Sequence, residues 1–279
     1  MSPRGLQVGR WPYNVRLNFT STWCSGALVH PQLVLTAAHC LYHSDPGDPT
    51  HRKIRPSEVA MRIGGYDISK PPASDSGVEI INPGDVAQVL PHVRYDPYSQ
   101  ALGIYDVGLV QLKSPACHAP VQVNTGANTP KDSSDVTTIS WGVSVFSEDQ
   151  PATVMQQSTL QLHNLTACRK SASVEQPIPD DIICAYSDGT SEGITKGLII
   201  YTCHGDSGGP LVVQGSRPED DFLLGAVSFG PAQCNKVPPR LYSAYMNATW
   251  PDVLSWIQEH ISGLNNHKEP PKPCPGSKG

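Results

Sequence analysis

Short apolar runs separated by turn residues dominate the chain. The stretches ALVHPQLVLTAA (27–38), VAMRIGGYDI (59–68), VGLVQL (107–112), VTTISWGVSV (136–145), STLQLHNL (158–165), PLVVQG (210–215) and FLLGAVSFG (222–230) are rich in β-branched and aromatic residues, which predicts strands. Strands do not alternate with helical patterns, so the reading is an all-β chain built as closed barrels or sandwiches. The polar segment 113–135, KSPACHAPVQVNTGANTPKDSSD, reads as a linker between two halves. One helix is predicted over 250–262, where Val253, Leu254, Ile257 and Ile261 share a face and Trp256 flanks it. Beyond Gly263 the chain reads as a Pro-rich tail without a core of its own.

Composition narrows the class. Among 279 residues, 27 are proline and 24 glycine and only 16% are charged, which suits a turn-rich β protein better than a helical bundle. The net charge of -5 and the lack of a basic stripe argue against nucleic acid as a partner. No apolar run approaches the roughly 18 residues of a membrane-spanning helix, so no membrane partner is expected. Eight cysteines, together with glycosylation sequons at Asn18, Asn164 and Asn247, favour an oxidising, secretory compartment. The opening MSPRGLQVGR lacks the apolar core of a signal peptide, so the expectation is a chain separated from its leader.

The segment TCHGDSGGP (202–210) sets Ser207 among glycines and raises the question of what would take its proton. Of ten histidines, His51, His118 and His267 lie in polar loops and read as solvated. His39 instead closes the apolar run LVLTAAHC and is pinned by Cys40; its alternative reading is a capped core histidine. His43 follows four residues on, a spacing that binds zinc on a helix, but the glutamate of the zinc-protease motif and a third ligand are missing, so no metal is expected. Asp106, in YDVGLVQL, opens an apolar strand where aspartate is otherwise a poor choice, and it is the natural carboxylate to orient His39. Asp45, Asp48 and Asp67 sit in more polar surroundings.

LTAAHC, YDVGLVQL and CHGDSGGPLV occur in the order His, Asp, Ser, and GRWPYNVRL (9–17), CSGALVHPQLVLTAAHC (24–40), SWG (140–142) and SFG (228–230) fall in register with them. On these residues the chain resembles the chymotrypsin/trypsin-like serine proteases from about residue 9 to 262. The resemblance implies two six-stranded antiparallel β-barrels, at about 9–115 and 130–249, with a C-terminal helix at about 250–262 and a tail over 263–279. It implies a secreted, monomeric endopeptidase that takes polypeptide substrates, meets protein protease inhibitors and needs no cofactor. His39, Asp106 and Ser207 would form the triad and the N–H groups of Gly205 and Ser207 the oxyanion hole. Ser228, Phe229 and Gly230 would pair with substrate backbone, with Ser228 also touching Asp106, and His204 would stand near the bound substrate.

Cysteine pairing follows from the same resemblance for Cys24–Cys40, Cys168–Cys184 and Cys203–Cys234. Cys117 and Cys274 remain and are expected to pair; the alternative is that Cys117 bonds a leader peptide and Cys274 is free. The resemblance implies that the position six before the serine sets the floor of the specificity pocket; here it is Tyr201 rather than an aspartate, which argues against cleavage after Lys or Arg. Arg240, in PPRLY, falls on the pocket wall as in granzyme B, so a preference for an acidic residue before the cut is expected, the alternative being an outward Arg240 and a shallow pocket. Loops 43–58 and 184–203 are extended and would narrow substrate choice. Active relatives bury a free Ile-Val-Gly-Gly start against the aspartate before the serine, here Asp206. This chain lacks that start, so Asp206 is expected to lack its partner, giving a zymogen-like state. A non-catalytic homologue that binds a partner is the second function class, and the complete triad favours an enzyme.

Overall fold

The computed structural model describes residues 8–20, 22–43, 50–74, 77–99, 103–126, 129–142, 152–171, 178–188, 199–200, 202, 204–230, 243–264 and 273–274. Its first sheet contains β1 (Asn14–Asn18), β2 (Trp23–His30), β3 (Leu33–Thr36), β4 (Ala60–Ile63), β5 (Glu79–Ile81), β6 (Val86–Pro91) and β7 (Gly108–Leu112). They run in the order β5-β4-β1-β2-β3-β7-β6, every neighbouring pair antiparallel. The apolar run 27–38 is not one strand. Pro31 has no amide hydrogen to give a ladder, so the chain turns at Pro31–Gln32 and the run becomes a β2–β3 hairpin. Gln32 braces that turn by donating to the carbonyls of Leu112 and Lys113.

The second sheet contains β8 (Gln122–Val123), β9 (Asp135–Ser140), β10 (Gln156–His163), β11 (Ile182–Asp188), β12 (Ile199–Ile200), β13 (Pro210–Val213), β14 (Phe222–Phe229) and β15 (Ser243–Asn247). Six of these run β10-β9-β13-β14-β15-β11, and pairing of β10 with β11 closes the ring. The short strands β8 and β12 attach at its margins, which accounts for the excess over six. Two β-barrel sheets therefore carry the fold.

Between β10 and β11 the helix α1 (Leu165–Ser171) was not legible as a helix: STLQLHNL reads as strand to Leu165, but β10 stops at His163. Asn164 Oδ1 accepts the Ala167 amide at 2.8 Å, an N-cap that starts the helix instead. The C-terminal helix α2 (Pro251–Leu264) buries Val253, Ile257 and Leu264; it starts one residue later and ends two residues later than the pattern predicted. Pro251 opens it, where a missing N–H removes no helical bond.

One buried carboxylate joins the amino-terminal segment to the second sheet. Asp221 accepts from both terminal nitrogens of Arg10 (2.6 and 2.7 Å), from Tyr13 Oη (2.6 Å) and from the Gly215 amide (2.7 Å). Burial first, then the bond to Asp221, pushes the Tyr13 phenol far above its ordinary range. Disulfides join Cys24 to Cys40, Cys168 to Cys184 and Cys117 to Cys274. Cys203 and Cys234 lie outside the described residues. No helix among the described residues is long and apolar enough to cross a membrane.

Candidate active site

His39 stands where the fold leaves it little freedom. β3 is buried along its length, and the small, buried Ala37 and Ala38 bring the chain to the tight turn His39–Leu41. The Cys24–Cys40 bridge then fixes that turn to β2. Asp106 arrives from the loop before β7. There Tyr105 adopts a left-handed conformation (φ 51°), a strained choice for an aromatic residue. Its surroundings hold it: the amide donates to Asp181 Oδ2 at 2.7 Å, the ring stacks on His92 at 4.8 Å, Arg94 lies 4.4 Å over it, and the hydroxyl donates to Asp252 Oδ2 of α2 at 3.0 Å.

The result is a carboxylate with three donors around it. Asp106 is only 3% exposed. Its Oδ1 accepts the His39 amide at 2.8 Å, and its Oδ2 meets His39 Nδ1 at 2.8 Å and accepts the Ser228 hydroxyl at 2.6 Å. Burial alone would raise the Asp106 pKa, yet the His39 charge and these bonds together hold it below the ordinary carboxylate value. An ionised carboxylate only accepts, so Nδ1 of His39 must carry the proton and Nε2 is left with a lone pair. Burial likewise opposes the imidazolium, but the Asp106 charge and hydrogen bond outweigh it and raise the His39 pKa above its usual value.

Ser207 belongs to a loop that packs against the strands leading to His39. Its carbonyl accepts the Ser25 amide at 2.8 Å, and the Gly205 carbonyl accepts the Ser25 hydroxyl at 3.0 Å. Gly205 has φ +85°, and Gly208 passes so close to Thr36 Oγ1 that a Cβ there would lie 2.1 Å away. Asp206 is 1% exposed, and its Oδ1 accepts from the Ser140 hydroxyl and from the Gly142 amide at 2.9 Å, two neutral donors that hold the carboxylate in place. The sequence could not show this, because both donors sit more than sixty residues earlier in the chain.

Beside His39 opens a cavity of about 310 Å³, lined by His39, Asp106, Tyr95, Gly103, Ile104, Ser228 and Phe229, with the polar Arg94, Asp96 and Ser99. The structure thus gathers His39, Asp106, Ser228 and Phe229 at one cavity. Gly230 follows directly after β14, and His204 is exposed. Tyr201 and Arg240 lie outside the described residues. Tyr105, Tyr95 and Asp181 are contributors that the sequence reading missed; only the position of Tyr105 beside Asp106 gave any signal. The histidines of the zinc-like spacing are separately engaged, since His43 Nε2 stands 2.7 Å from the Arg52 guanidinium. Cys24 and Cys40, which flank His39, form a disulfide and offer no thiolate to a metal.

The family model described as Trypsin matches residues 4–257. Serine protease 28 of Mus musculus is 26% identical over 272 residues, covering 91% of this chain and 85% of that protein. Mannan-binding lectin serine protease 1 of Homo sapiens is 29% identical over 271 residues, covering 94% of this chain and 35% of the relative. Clotting factor C of Tachypleus tridentatus is 28% identical over 282 residues, covering 91% of this chain and 24% of the relative. The chain therefore spans most of the first protein and about a third or a quarter of the other two. Among solved structures, neuropsin, a serine protease expressed in the limbic system of mouse brain, aligns with a TM-score of 0.69 at 23% identity, covering 92% of this chain and 97% of that one, a likeness of fold.

Proposed function

We propose that this chain, which belongs to the trypsin family of serine proteases, hydrolyses peptide bonds with Ser207 as nucleophile, His39 as general base and acid, and Asp106 as the group that orients His39. One observation carries the reading: the buried Asp106 carboxylate accepts from His39 Nδ1 at 2.8 Å, which leaves Nε2 as a base. On this reading Nε2 takes the Ser207 proton as Oγ attacks the substrate carbonyl carbon. Imidazolium forms beside Asp106 and then protonates the departing amine. Water repeats the sequence on the acyl-enzyme and frees Ser207. The Ser25 bonds to the carbonyls of Gly205 and Ser207 favour a loop whose own N–H groups face the developing oxyanion. Each such donor is worth about 3–4 kcal/mol in the transition state.

Polypeptides are the substrate class that the family implies. The acyl side of the substrate would lie along Ser228–Phe229–Gly230, in the cavity beside His39. A preference for an acidic residue before the cut, read by Arg240 above Tyr201, belongs to the same proposal. So do a secreted monomer glycosylated at Asn18, Asn164 and Asn247 and its control by protein inhibitors; the disulfides support the extracellular part.

A fluorophosphonate probe tests the chemistry directly. The folded chain is expected to label at Ser207, with labelling abolished by Ser207→Ala and by His39→Ala. A folded native chain that resists the probe and leaves a broad peptide library uncut would overturn the reading.

A further inference from the structure

Among the described residues, a buried cation on the strands beside Gly205 meets no counter-charge. The strand register sets three side chains in a row across the first sheet: Arg16 of β1 stands opposite Ser25 of β2 on one side and opposite Arg62 of β4 on the other. Cross-strand partners of this kind share a face, about 5 Å apart. Gly205 lies at one end of the row, because its carbonyl accepts the Ser25 hydroxyl at 3.0 Å. Trp23 occupies the same face two residues from Ser25, and a Cβ built on Gly205 would lie 2.2 Å from its indole nitrogen. The Arg16 guanidinium sits 5.2 Å from the Trp23 ring centroid. A continuous path of side chains therefore leads from Gly205 to two arginines.

The donors on this path are under-used. Arg16 is 7% exposed; its Nε donates to Asn18 Oδ1 at 3.0 Å, but one terminal nitrogen is buried without a hydrogen-bond partner. The Trp23 indole N–H is also buried and unpartnered. Arg62 donates to the carbonyls of Ile68 and Lys70, at 3.0 and 2.9 Å, which satisfy its hydrogens but not its charge. Among the described residues neither arginine meets a carboxylate. Burial, with repulsion from Arg62, pulls the Arg16 pKa down to about 10, so it remains charged at neutral pH against both effects. A buried charge held this way is unfavourable until an anion arrives.

None of Arg16, Trp23 and Arg62 lines the cavity beside His39. A peptide whose acyl side fills that cavity and whose chain continues past Gly205 meets the arginine row with its leaving side. We propose that Trp23, Arg16 and Arg62 form a carboxylate-recognising subsite for the leaving side of the substrate, reading an acidic group within about three residues after the cut bond. The inference rests on the proteolytic reading for its direction, and on the strand register for its chemistry. Two sources supply such a carboxylate, an Asp or Glu side chain and the free C-terminus of a short leaving peptide.

Matched peptides separate these sources: Asp or Glu against Asn or Gln at each of the three positions after the cut, and free-acid against amidated C-termini. The acidic member is expected to be cleaved about tenfold faster in kcat/KM at low salt, with the ratio shrinking at high salt. Arg16→Gln brings the acid-to-amide ratio near one. Because Arg16 is buried, Arg62→Gln serves as a second variant and reduces the ratio in part. The same peptides are titrated by fluorescence anisotropy against Ser207→Ala, which reads recognition without chemistry. Cleavage with a ratio of one in the native chain overturns the subsite and leaves the protease reading intact. Acid-selective binding by a chain that never cleaves or labels overturns the protease reading and keeps the subsite. An acid preference unmoved by Arg16→Gln and Arg62→Gln also overturns the subsite.

Discussion

Gly142→Ala adds one methyl group at a point where the structure has no room for it. The new Cβ would stand 2.0 Å from Asp206 Oδ1 and 2.3 Å from its Cγ, far inside contact distance. Gly142 does not have a positive φ, so alanine fits the backbone and the effect reports the collision alone. The Asp206 carboxylate must leave its place and give up the Gly142 amide and the Ser140 hydroxyl. Two charge-assisted hydrogen bonds to a buried carboxylate amount to about 3–6 kcal/mol. For a chain of this length that lowers the melting temperature by about 10 °C. Asp206 precedes Ser207, so the reactive loop shifts with it, and a displacement near 1 Å costs about a hundredfold in reactivity. Calorimetry and the rate of fluorophosphonate labelling read the two effects. Ser140→Ala, which removes one bond and adds no bulk, is expected to show a smaller loss in both. Unchanged melting and labelling in Gly142→Ala, or a larger defect in Ser140→Ala, would refute the reasoning.

The pH profile follows from the same centre. His39 must be neutral to accept a proton, and Asp106 raises its pKa, so labelling should fall with decreasing pH through a midpoint above about 6.5. Asp106→Asn should move that midpoint down while lowering the plateau; an unmoved midpoint in a pH–rate titration would count against the pair. Asp221→Ala strips the counter-charge from the largely buried Arg10 and is expected to destabilise the chain by about 3–5 kcal/mol in urea titration. Replacing Cys117 and Cys274 together by serine should lower stability by up to about 5 kcal/mol, from the 157-residue separation they close, while labelling of Ser207 continues.

What the sequence made legible were the elements whose own pattern decides their fate. VGLVQL and FLLGAVSFG are apolar on both faces, and both are buried strands; the apolar stripe of α2 follows its helical spacing. β1 was harder to see as a strand because Asn14 and Arg16 are polar, yet both are buried, against Met155 and Trp23 respectively. Their burial is decided by partners elsewhere in the chain, which no local window contains. The same reason hid the Tyr105–Asp181 contact and the Ser140 and Gly142 donors to Asp206. Asn164 stands out in the sequence as a sequon, and the same side chain caps α1, an Asn role at helix starts that the strand-like run before it obscures. His39, Asp106 and Ser207 stood out for a different reason: each is a polar residue set at the end of an apolar run or among glycines, where folding alone gives little cause for it.

The bridge between Cys117 and Cys274 has a practical consequence for anyone handling the protein. A nick anywhere between those two cysteines leaves both pieces covalently attached. On a non-reducing gel the cut material would migrate with intact chain, and an affinity tag placed at the carboxyl end would still retain the whole molecule. Only electrophoresis after thiol reduction would separate the fragments, so purity judged without a reductant says nothing about integrity between those two cysteines.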